Sequence, residues 1–331
     1  MKIIVDAMGG DNAPEAIVKG CLLARDEYNV NIVLSGKEDL LKKCIESETK
    51  DYKNIEILNA EDIITNDDKP VMAIRRKKES SLVKALYAVK NNEADAIVSA
   101  GSTGALLSGA TLIIGRVGGL ERPALAPFIP TDKGFSLLVD AGANVDCKPE
   151  YLIDFAIMGS IYVKHVLNID NPRVGLLNIG GEEGKGNRLA IDTYELLKNS
   201  DLNFSGNIES RYVLNGDVDV IVADGFAGNV LLKSIEGTAS YIMKGLKEEL
   251  TSTFISKIGA LLVKPSLRNF KKRLDYGEVG GAMLLGVNAP VIKAHGSSDS
   301  IAIKNAIKQT KNILDSNVVD LIKESISRRW L

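Results

Sequence analysis

Apolar residues in this chain gather in short continuous runs that end at small residues and lead into polar turns containing glycine. Five such runs occupy residues 96–99, 137–140, 175–178, 220–223 and 291–294. Runs of Val, Ile and Leu are typical of strands buried on both faces, as in a parallel sheet covered by helices. Because parallel strands end on the same side of a sheet, we predict that the five turns line one ligand cleft. The many backbone N–H groups of such turns favour an anionic ligand.

The alternation of strands and helices continues outside these five units. A first strand is predicted from Lys2 to Ala7, and Pro14 suits the first turn of the helix that follows. The other predicted elements are strands near 30–35 and 54–58, helices near 38–47 and 79–92, and a last helix from about Asp299. The pattern predicts a doubly wound, mostly parallel α/β fold, with residues 1–331 in a single catalytic domain.

One segment breaks this alternation. A predicted helix from Leu231 leads into residues 251–274, which contain six basic residues and no acidic residue. Basic residues around an apolar tip suit a hairpin that binds a membrane surface. A dimer contact, or packing on the body of the protein, is the open alternative. We predict a protruding amphipathic hairpin over 240–276, with membrane contacts at Ile255, Ile258, Leu261, Leu262, Val263 and Lys264.

Composition and charge narrow the classes of function. A net charge of −2 and an aromatic content of 5% weigh against a general nucleic-acid-binding protein. The first residues contain no apolar run long enough for a signal peptide, so none is expected, and no apolar run reaches the ~18 residues that a membrane span requires. Its three cysteines are widely spaced, which is typical of reduced thiols. A cytoplasmic protein is therefore expected.

The first predicted turn offers candidate ligand contacts. Gly9 and Gly10 allow close approach of the backbone to a ligand. Asp11 and Asn12 suit either capping of the following helix or hydrogen bonding to a substrate.

A lysine and a histidine occupy two later turns. Lys185 lies between glycines after the third of the five strands, where a lysine can meet an anion, although a solvated loop lysine is the alternative. The loop is not a Walker A motif, because Gly186 stands where Ser or Thr is required. His295 is the histidine placed for acid–base chemistry, with a structural role in its turn as the alternative, whereas His165 falls in a predicted helix.

Other chemistries lack their motifs. Asp6, Asp11, Asp140 and Asp224 are candidates to converge, but their spacing matches no known metal site. The chain contains no G-x-S-x-G elbow of a serine hydrolase and no G-x-G-x-x-G dinucleotide fingerprint after a strand. No metal or cofactor is expected.

Residues 4–14 resemble the opening motif of the bacterial phosphate acyltransferases of phospholipid synthesis, the PlsX family. Further matches follow in the family's order at 99–105, 122–125, 140–144, 177–180, 185–187, 224–229 and 295–298. Together they extend over nearly the whole chain, so the resemblance is more specific than any single loop.

The resemblance implies a fold, a reaction and partners. The fold is that shared by isopropylmalate dehydrogenase and phosphotransacetylase. The implied enzyme is a homodimer at the inner face of the cell membrane. It transfers a long-chain acyl group from acyl carrier protein to inorganic phosphate, and its acyl phosphate product passes to a membrane glycerol-3-phosphate acyltransferase. No nucleic acid is expected as a partner.

Candidate site residues follow from the turns and the resemblance together. The predicted catalytic residues are Lys185, His295, Asp224 and Asn229. The predicted substrate and phosphate contacts are Gly9, Gly10, Asp11, Asn12, Gly101, Ser102, Thr103, Asp140, Asn144, Asn178, Asn187 and Ser297. An acyltransferase that uses coenzyme A thioesters is the nearest alternative. A β-decarboxylating dehydrogenase is a less favoured alternative, because this chain lacks the cluster of arginines and metal-binding aspartates expected of one. A noncatalytic membrane scaffold is also less favoured, because it would not explain the five polar turns.

Overall fold

The computed structural model describes residues 1–274 and 280–329 of the protein. Its strands are β1 Lys2–Asp6, β2 Asn31–Gly36, β3 Ile55–Asn59, β4 Ala96–Ser99, β5 Ala124–Ala126, β6 Phe128–Thr131, β7 Gly134–Val139, β8 Val174–Asn178, β9 Phe204–Glu209, β10 Val220–Val222, β11 Ala282–Leu285 and β12 Val291–Lys293. Its helices are α1 Glu15–Tyr28, α2 Glu38–Glu48, α3 Pro70–Arg76, α4 Ser81–Lys90, α5 Thr103–Gly109, α6 Pro149–Val166, α7 Arg188–Lys198, α8 Gly225–Leu250, α9 Phe254–Leu274, α10 Ser300–Asp315 and α11 Val318–Arg329. A π-helical turn, Ala110–Ile114, extends α5.

The strands form two mixed sheets. The first sheet has the order β3-β2-β1-β4-β12-β11-β5, and the second has the order β6-β7-β10-β8-β9. The pairs from β3 to β12 in the first sheet and from β7 to β9 in the second are parallel. Strand β11 pairs antiparallel with β12 and with the edge strand β5 of the first sheet. Strand β6, which follows β5 in the chain, pairs antiparallel with β7 at the edge of the second sheet.

Helices cover both faces of the first sheet. Alternate residues of β1 enter different cores, because successive side chains of a strand point to opposite faces. Ile3 and Val5 pack with α1, α2 and α10, whereas Ile4 packs with α3, α4 and α5. All three side chains are almost completely buried. This arrangement explains why the predicted strands are continuously apolar rather than alternating.

The doubly wound, mostly parallel architecture is confirmed, but its strands divide between two sheets. Strands β4 and β12 end in the first sheet, whereas β7, β8 and β10 end in the second. The chain changes sheets at Pro127, between β5 and β6, where the residue has no N–H to donate and its carbonyl accepts from Leu138 N at 3.0 Å. Strands β5 and β6, of three and four residues, are too short for a sequence pattern to predict that the chain changes sheets between them.

The predicted elements outside the five units also form, with one addition at the carboxyl end. Strands β1 to β3 and helices α2 and α4 lie where the pattern placed them. The predicted last helix begins after Asp299, whose carboxylate accepts from Ile301 N at 3.0 Å and from Ala302 N at 2.9 Å. A second helix, α11, follows it and was not predicted.

The predicted helical hairpin consists of α8 and α9, which pack against each other. Ile255 and Leu262 of α9 are 82% and 79% exposed, and Leu261 is 67% exposed. The end of the predicted hairpin, residues 275–276, and the side chains of Lys271, Lys272 and Arg273 lie outside the described part of the chain. Within the described ranges, no helix is long and apolar enough to cross a membrane.

Candidate functional site

Three turns at the carboxyl ends of β1, β4 and β12 interlock, and we call them the first-sheet rim (residues 8–12, 100–103 and 295–298). Asp11 N donates to Gly296 O at 2.8 Å, and Asn12 Nδ2 donates to Ser297 O at 3.1 Å. A Cβ atom at Gly9 would lie 2.8 Å from the backbone N of Gly101, so only glycine allows this approach. The predicted contacts of the first, second and last turns are therefore brought together. Neither Asp11 nor Asn12 caps α1, which has no side-chain cap.

A buried carboxylate supports this rim from below. Asp6 accepts hydrogen bonds from Ser81 Oγ at 2.6 Å and Ser99 Oγ at 2.8 Å. Ser99 Oγ in turn accepts from Gly101 N at 3.1 Å. Burial raises the pKa of Asp6, although these hydrogen bonds oppose the shift. Asp6 thus fixes the turn that carries Gly101, Ser102 and Thr103, and does so without facing solvent.

Lys293, the last residue of β12, joins the same turn from the other side. Its Nζ donates to Ala100 O at 3.2 Å and also to Ala294 O. Burial lowers the pKa of Lys293 to about 8, although Asp6 and Asp11 oppose this shift. We did not predict a role for this residue. The available signal was a lysine inside an otherwise buried apolar strand, which is rare unless the charge has a partner.

His295 is held in one orientation by its neighbour in the turn. Its Nδ1 lies 2.8 Å from Ser297 Oγ and accepts from Ser297 N at 3.2 Å. Acceptance at Nδ1 places the proton of the neutral ring on Nε2. Partial burial lowers the pKa of His295, so the ring is neutral near pH 7. A neutral imidazole with a defined N–H suits proton handling or donation to an oxyanion.

The turns after β7, β8 and β10 form a second-sheet rim (residues 141–145, 179–187 and 224–229). Asp140, at the end of β7, is completely buried and accepts from Leu125 N at 2.9 Å and Asn144 N at 2.7 Å. The side chain of Asn144 donates to Pro123 O at 2.7 Å and to Asp140 at 2.9 Å. Burial raises the pKa of Asp140. These partners favour a positioning role for both side chains over the predicted substrate contact.

The start of α8 packs directly on this Asp140 loop. Asp224 caps the helix by accepting from Ala227 N at 2.8 Å, and Gly225 N donates to Asn144 O at 2.7 Å. A Cβ atom at Gly228 would lie 1.9 Å from Asp140 O, which excludes any other residue there. Asn229, one residue on, is exposed on the rim. The predicted pair Asp224 and Asn229 therefore lies at the N-cap and within the first two turns of α8.

The loop after β8 presents Lys185 to solvent. Asn178 closes the loop by donating from Nδ2 to Lys185 O at 2.9 Å and accepting from Ile179 N at 2.8 Å. Gly186 has a φ of +99°, which favours glycine. Asn187 caps α7 through Ala190 N at 3.0 Å. The amides of Asn178 and Asn187 thus shape the loop, whereas the exposed side chain of Lys185 remains suited to an anion.

Helix α8 connects the two rims. It begins at the second-sheet rim, and two of its residues lie close enough to influence the charge state of His295 on the first. Glu236 favours the charged form of His295, and Lys233 opposes it. Lys233 also opposes the charged form of Lys293. The predicted site residues therefore come from turns of both sheets, and α8 begins at one of the two rims.

A surface cavity of about 430 Å³ lies elsewhere, near the amino end of β4. Asn92, Asp95, Asn288 and Lys323 are among its lining residues. None of the predicted site residues lines it, and so it has no part in the site built above.

Comparison with known proteins assigns the family. Residues 1–321 match the family model described as "Fatty acid synthesis protein". The phosphate acyltransferase of Clostridium novyi (strain NT) is 52% identical over 332 residues, covering 100% of both chains. That of Alkaliphilus oremlandii (strain OhILAs) is 53% identical over 327 residues, covering 99% of this chain and 98% of the relative. The chain belongs to the family of bacterial phosphate acyltransferases. Its enzymatic class is that of an acyltransferase of fatty acid and phospholipid synthesis.

Solved structures support the fold of this family member. A phosphotransacetylase from Streptococcus pyogenes superposes with a TM-score of 0.62 at 16% identity, covering 97% of this chain and 94% of that one. A branched-chain phosphotransacylase from Enterococcus faecalis V583 gives a TM-score of 0.56 at 14% identity, covering 94% and 98%. A 4-hydroxythreonine-4-phosphate dehydrogenase from Salmonella typhimurium, described as putative, gives 0.52 at 13%, covering 95% and 99%. These likenesses confirm the predicted phosphotransacetylase-like fold.

Proposed function

We propose that this acyltransferase moves a long-chain acyl group from acyl carrier protein to inorganic phosphate. A phosphate oxygen attacks the thioester carbonyl and forms the new C–O bond of a tetrahedral oxyanion. The oxyanion then collapses, the C–S bond breaks, and the carrier leaves as a thiolate that takes up a proton. Phosphate is itself the nucleophile, so no covalent bond to the protein is required. The enzyme's contribution is to hold two anionic substrates together and to stabilise the tetrahedral oxyanion.

One observation carries this proposal: the interlocked turns of the first-sheet rim bring the oriented His295 beside the start of α5, because Asp11 N donates to Gly296 O at 2.8 Å and a Cβ atom at Gly10 would lie 3.0 Å from Ala100. Lys185 offsets charge on phosphate, and Asn229 and the helix start at Asp224 belong to the same rim, at the end of the neighbouring strand β10. Gly101, Ser102 and Thr103 lie at the start of α5, where backbone N–H groups and two hydroxyls suit a phosphate or carbonyl oxygen. The side chain of Ser102 does not cap α5.

The role proposed for His295 is the transfer or donation of a proton. Its Nε2–H donates to the oxyanion or to the departing sulfur, and the turn through Ser297 keeps that nitrogen oriented. Because a thiol has a pKa of about 8.5 and leaves readily, this assistance is worth less than it would be for a poor leaving group.

The acyl donor separates this proposal from its alternative. Equal amounts of a palmitoyl thioester of acyl carrier protein and of coenzyme A are offered with phosphate, and acyl phosphate is measured. The proposal expects kcat/KM for the carrier substrate to be at least about tenfold higher. Equal or greater efficiency with the coenzyme A thioester would instead assign the alternative activity.

We further propose that α8 and α9 place the enzyme, as a cytoplasmic homodimer, against the inner face of the cell membrane. An acyl phosphate carries a long apolar tail, and release at the bilayer to a glycerol-3-phosphate acyltransferase keeps the tail out of water. The exposed Ile255, Leu261 and Leu262 supply apolar contact, and Lys257, Lys264 and Arg268 each add about 1 kcal/mol near an anionic surface.

Vesicle binding tests the hairpin. Leu261→Glu with Leu262→Glu is expected to abolish sedimentation with anionic vesicles while activity on dispersed substrates is retained. Lys43→Glu with Lys50→Glu, on the body of the protein, serves as a charge control and is expected to bind vesicles normally. Loss of the dimer in the Leu261 and Leu262 variant, measured by sedimentation equilibrium, would assign the apolar face to the second copy instead.

A further inference from the structure

Helix α3 borders the first-sheet rim, and it was not among the predicted elements. Its inner face is apolar, with Ala73 and Ile74 buried in the core beneath the sheet. Its first residue, Pro70, packs against α5, since a Cβ atom at Gly104 would lie 2.8 Å from the Pro70 ring. Gly104 follows Thr103 directly, so α3 lies beside the turn that carries Ser102 and Thr103.

The outer face of α3 combines cationic and apolar side chains. Val71 and Met72 are 43% and 40% exposed. Four exposed basic residues surround them, Lys69, Arg75, Arg76 and Lys78. In the described chain, no carboxylate forms an ion pair with any of these four cations.

The neighbouring Lys77 and three nearby acidic residues, Asp62, Asp68 and Glu79, pair with each other or with Lys84, while the exposed Asp67 offsets one of the four free cations at most. Lys77 Nζ lies 2.8 Å from Asp68 and donates to Ile63 O at 2.9 Å. Glu79 pairs with Lys84 at 2.7 Å. The outer face therefore keeps a net positive charge, and Lys77 belongs to the local structure rather than to this face.

We infer that the outer face of α3 docks the acidic carrier protein that delivers the acyl thioester. The inference rests on the proposed function for the identity of the partner, and on charge complementarity for the place. Unpaired cations around two apolar side chains suit a partner surface of carboxylates with a small apolar centre. Docking here places the thioester arm at the first-sheet rim, next to Ser102 and His295.

The test measures binding and turnover separately in an Arg75→Glu, Arg76→Glu variant. Binding of the carrier protein alone is followed by fluorescence anisotropy, and KM is measured for the acylated carrier and for phosphate. We expect the dissociation constant and the carrier KM to rise at least about tenfold, with little change in the phosphate KM. The wild-type carrier KM is expected to rise with salt, and that of the variant to rise less.

A matched control uses the other side of the sheet. Lys43 and Lys50 are exposed, and Lys43 lies on α2, which packs on the face of β1 opposite to α3. Lys43→Glu with Lys50→Glu makes the same change in net charge and is expected to leave carrier binding within about twofold of wild type. Equal weakening in both variants, or unchanged carrier binding in the α3 variant, would overturn the docking surface. Carrier binding that is lost on α3 substitution while wild-type enzyme makes no acyl phosphate would support the surface and refute the proposed function.

Discussion

The two rims of the site are both supported by a buried carboxylate, but they differ in how they hold a lysine. Each has a buried carboxylate at the end of a strand, Asp6 as the last residue of β1 and Asp140 directly after β7, and burial raises the pKa of both. On the first rim the lysine is fixed, because Lys293 donates to two main-chain carbonyls. On the second rim Lys185 is exposed on a glycine loop. The residues that make the turns rigid, such as Asp6, Asp140 and Lys293, thus differ from the residue that offers charge to a substrate, Lys185.

The largest expected effect is on stability, and it compares the buried carboxylate of Asp140, which holds its loop by several hydrogen bonds, with the helix cap Asp224. Asp140→Ala leaves the N–H groups of Leu125, Ala143 and Asn144 without their acceptor, and we expect a loss of about 3 kcal/mol or more in the free energy of unfolding. Asp224→Ala removes a single cap bond and should cost about 1 kcal/mol. Urea unfolding of both variants measures the difference. Equal losses would show that Asp140 is not the brace of this rim.

The next effect tests the chemistry of the first rim. His295 is exposed, so His295→Ala should leave the melting temperature unchanged while kcat/KM falls about 10²-fold. His165→Ala provides the control, because His165 is an exposed residue near the end of α6 and outside the site. A large drop in melting temperature for His295→Ala alone would favour the structural role of that turn.

A smaller effect tests the exposed cation of the second rim. Lys185→Ala should lower kcat/KM for phosphate at least about tenfold, which is about 1.4 kcal/mol of transition-state stabilisation. Arg188, three residues on, is engaged with Asp192 at 2.7 Å, and Arg188→Ala should stay within about twofold of wild type. Similar kinetics for both variants would remove Lys185 from the site.

The smallest effect is a change in pH dependence. The pKa of His295 is lowered from its ordinary value of about 6.5, so its neutral form is lost only as the pH falls below that value. The pKa of Lys293 is about 8, so the charge that strengthens its hydrogen bonds to the rim carbonyls, and hence holds the turn of Ser102 in place, is lost as the pH rises through 8. We expect kcat/KM at saturating phosphate to fall on both sides and to be about halved near pH 8.

Lys293→Arg tests the alkaline side of that profile. Arginine stays charged throughout, so the fall near pH 8 should disappear in this variant while the acid side is unchanged. An alkaline fall that persists in Lys293→Arg would assign it to another group.

The sequence predicted the parts of the fold that repeat. Continuous apolar strands followed by glycine turns identified the parallel strands, and the family motifs identified the turn residues that the two rims present. The change of sheets at Pro127 was missed because β5, β6 and β11 are too short to show a period. Helix α3 was missed for the same reason, since seven residues complete only two turns.

The roles within the site were harder to predict than its members. Asp140, Asn144, Asn178 and Asn187 are polar turn residues, and sequence alone does not distinguish a side chain that faces a ligand from one that closes its own loop. Their partners are backbone groups that become neighbours only in the fold. Lys293 was missed because its charge is satisfied by carbonyl oxygens rather than by a motif.

The most direct test of the central claim is the product itself. Purified enzyme is mixed with a long-chain acyl thioester of acyl carrier protein and ¹⁸O-labelled phosphate, and the products are examined by mass spectrometry. The account predicts labelled acyl phosphate and free carrier thiol in equal amounts, with neither formed when phosphate is omitted. Release of fatty acid at the same rate with and without phosphate, or the absence of labelled acyl phosphate, would contradict it.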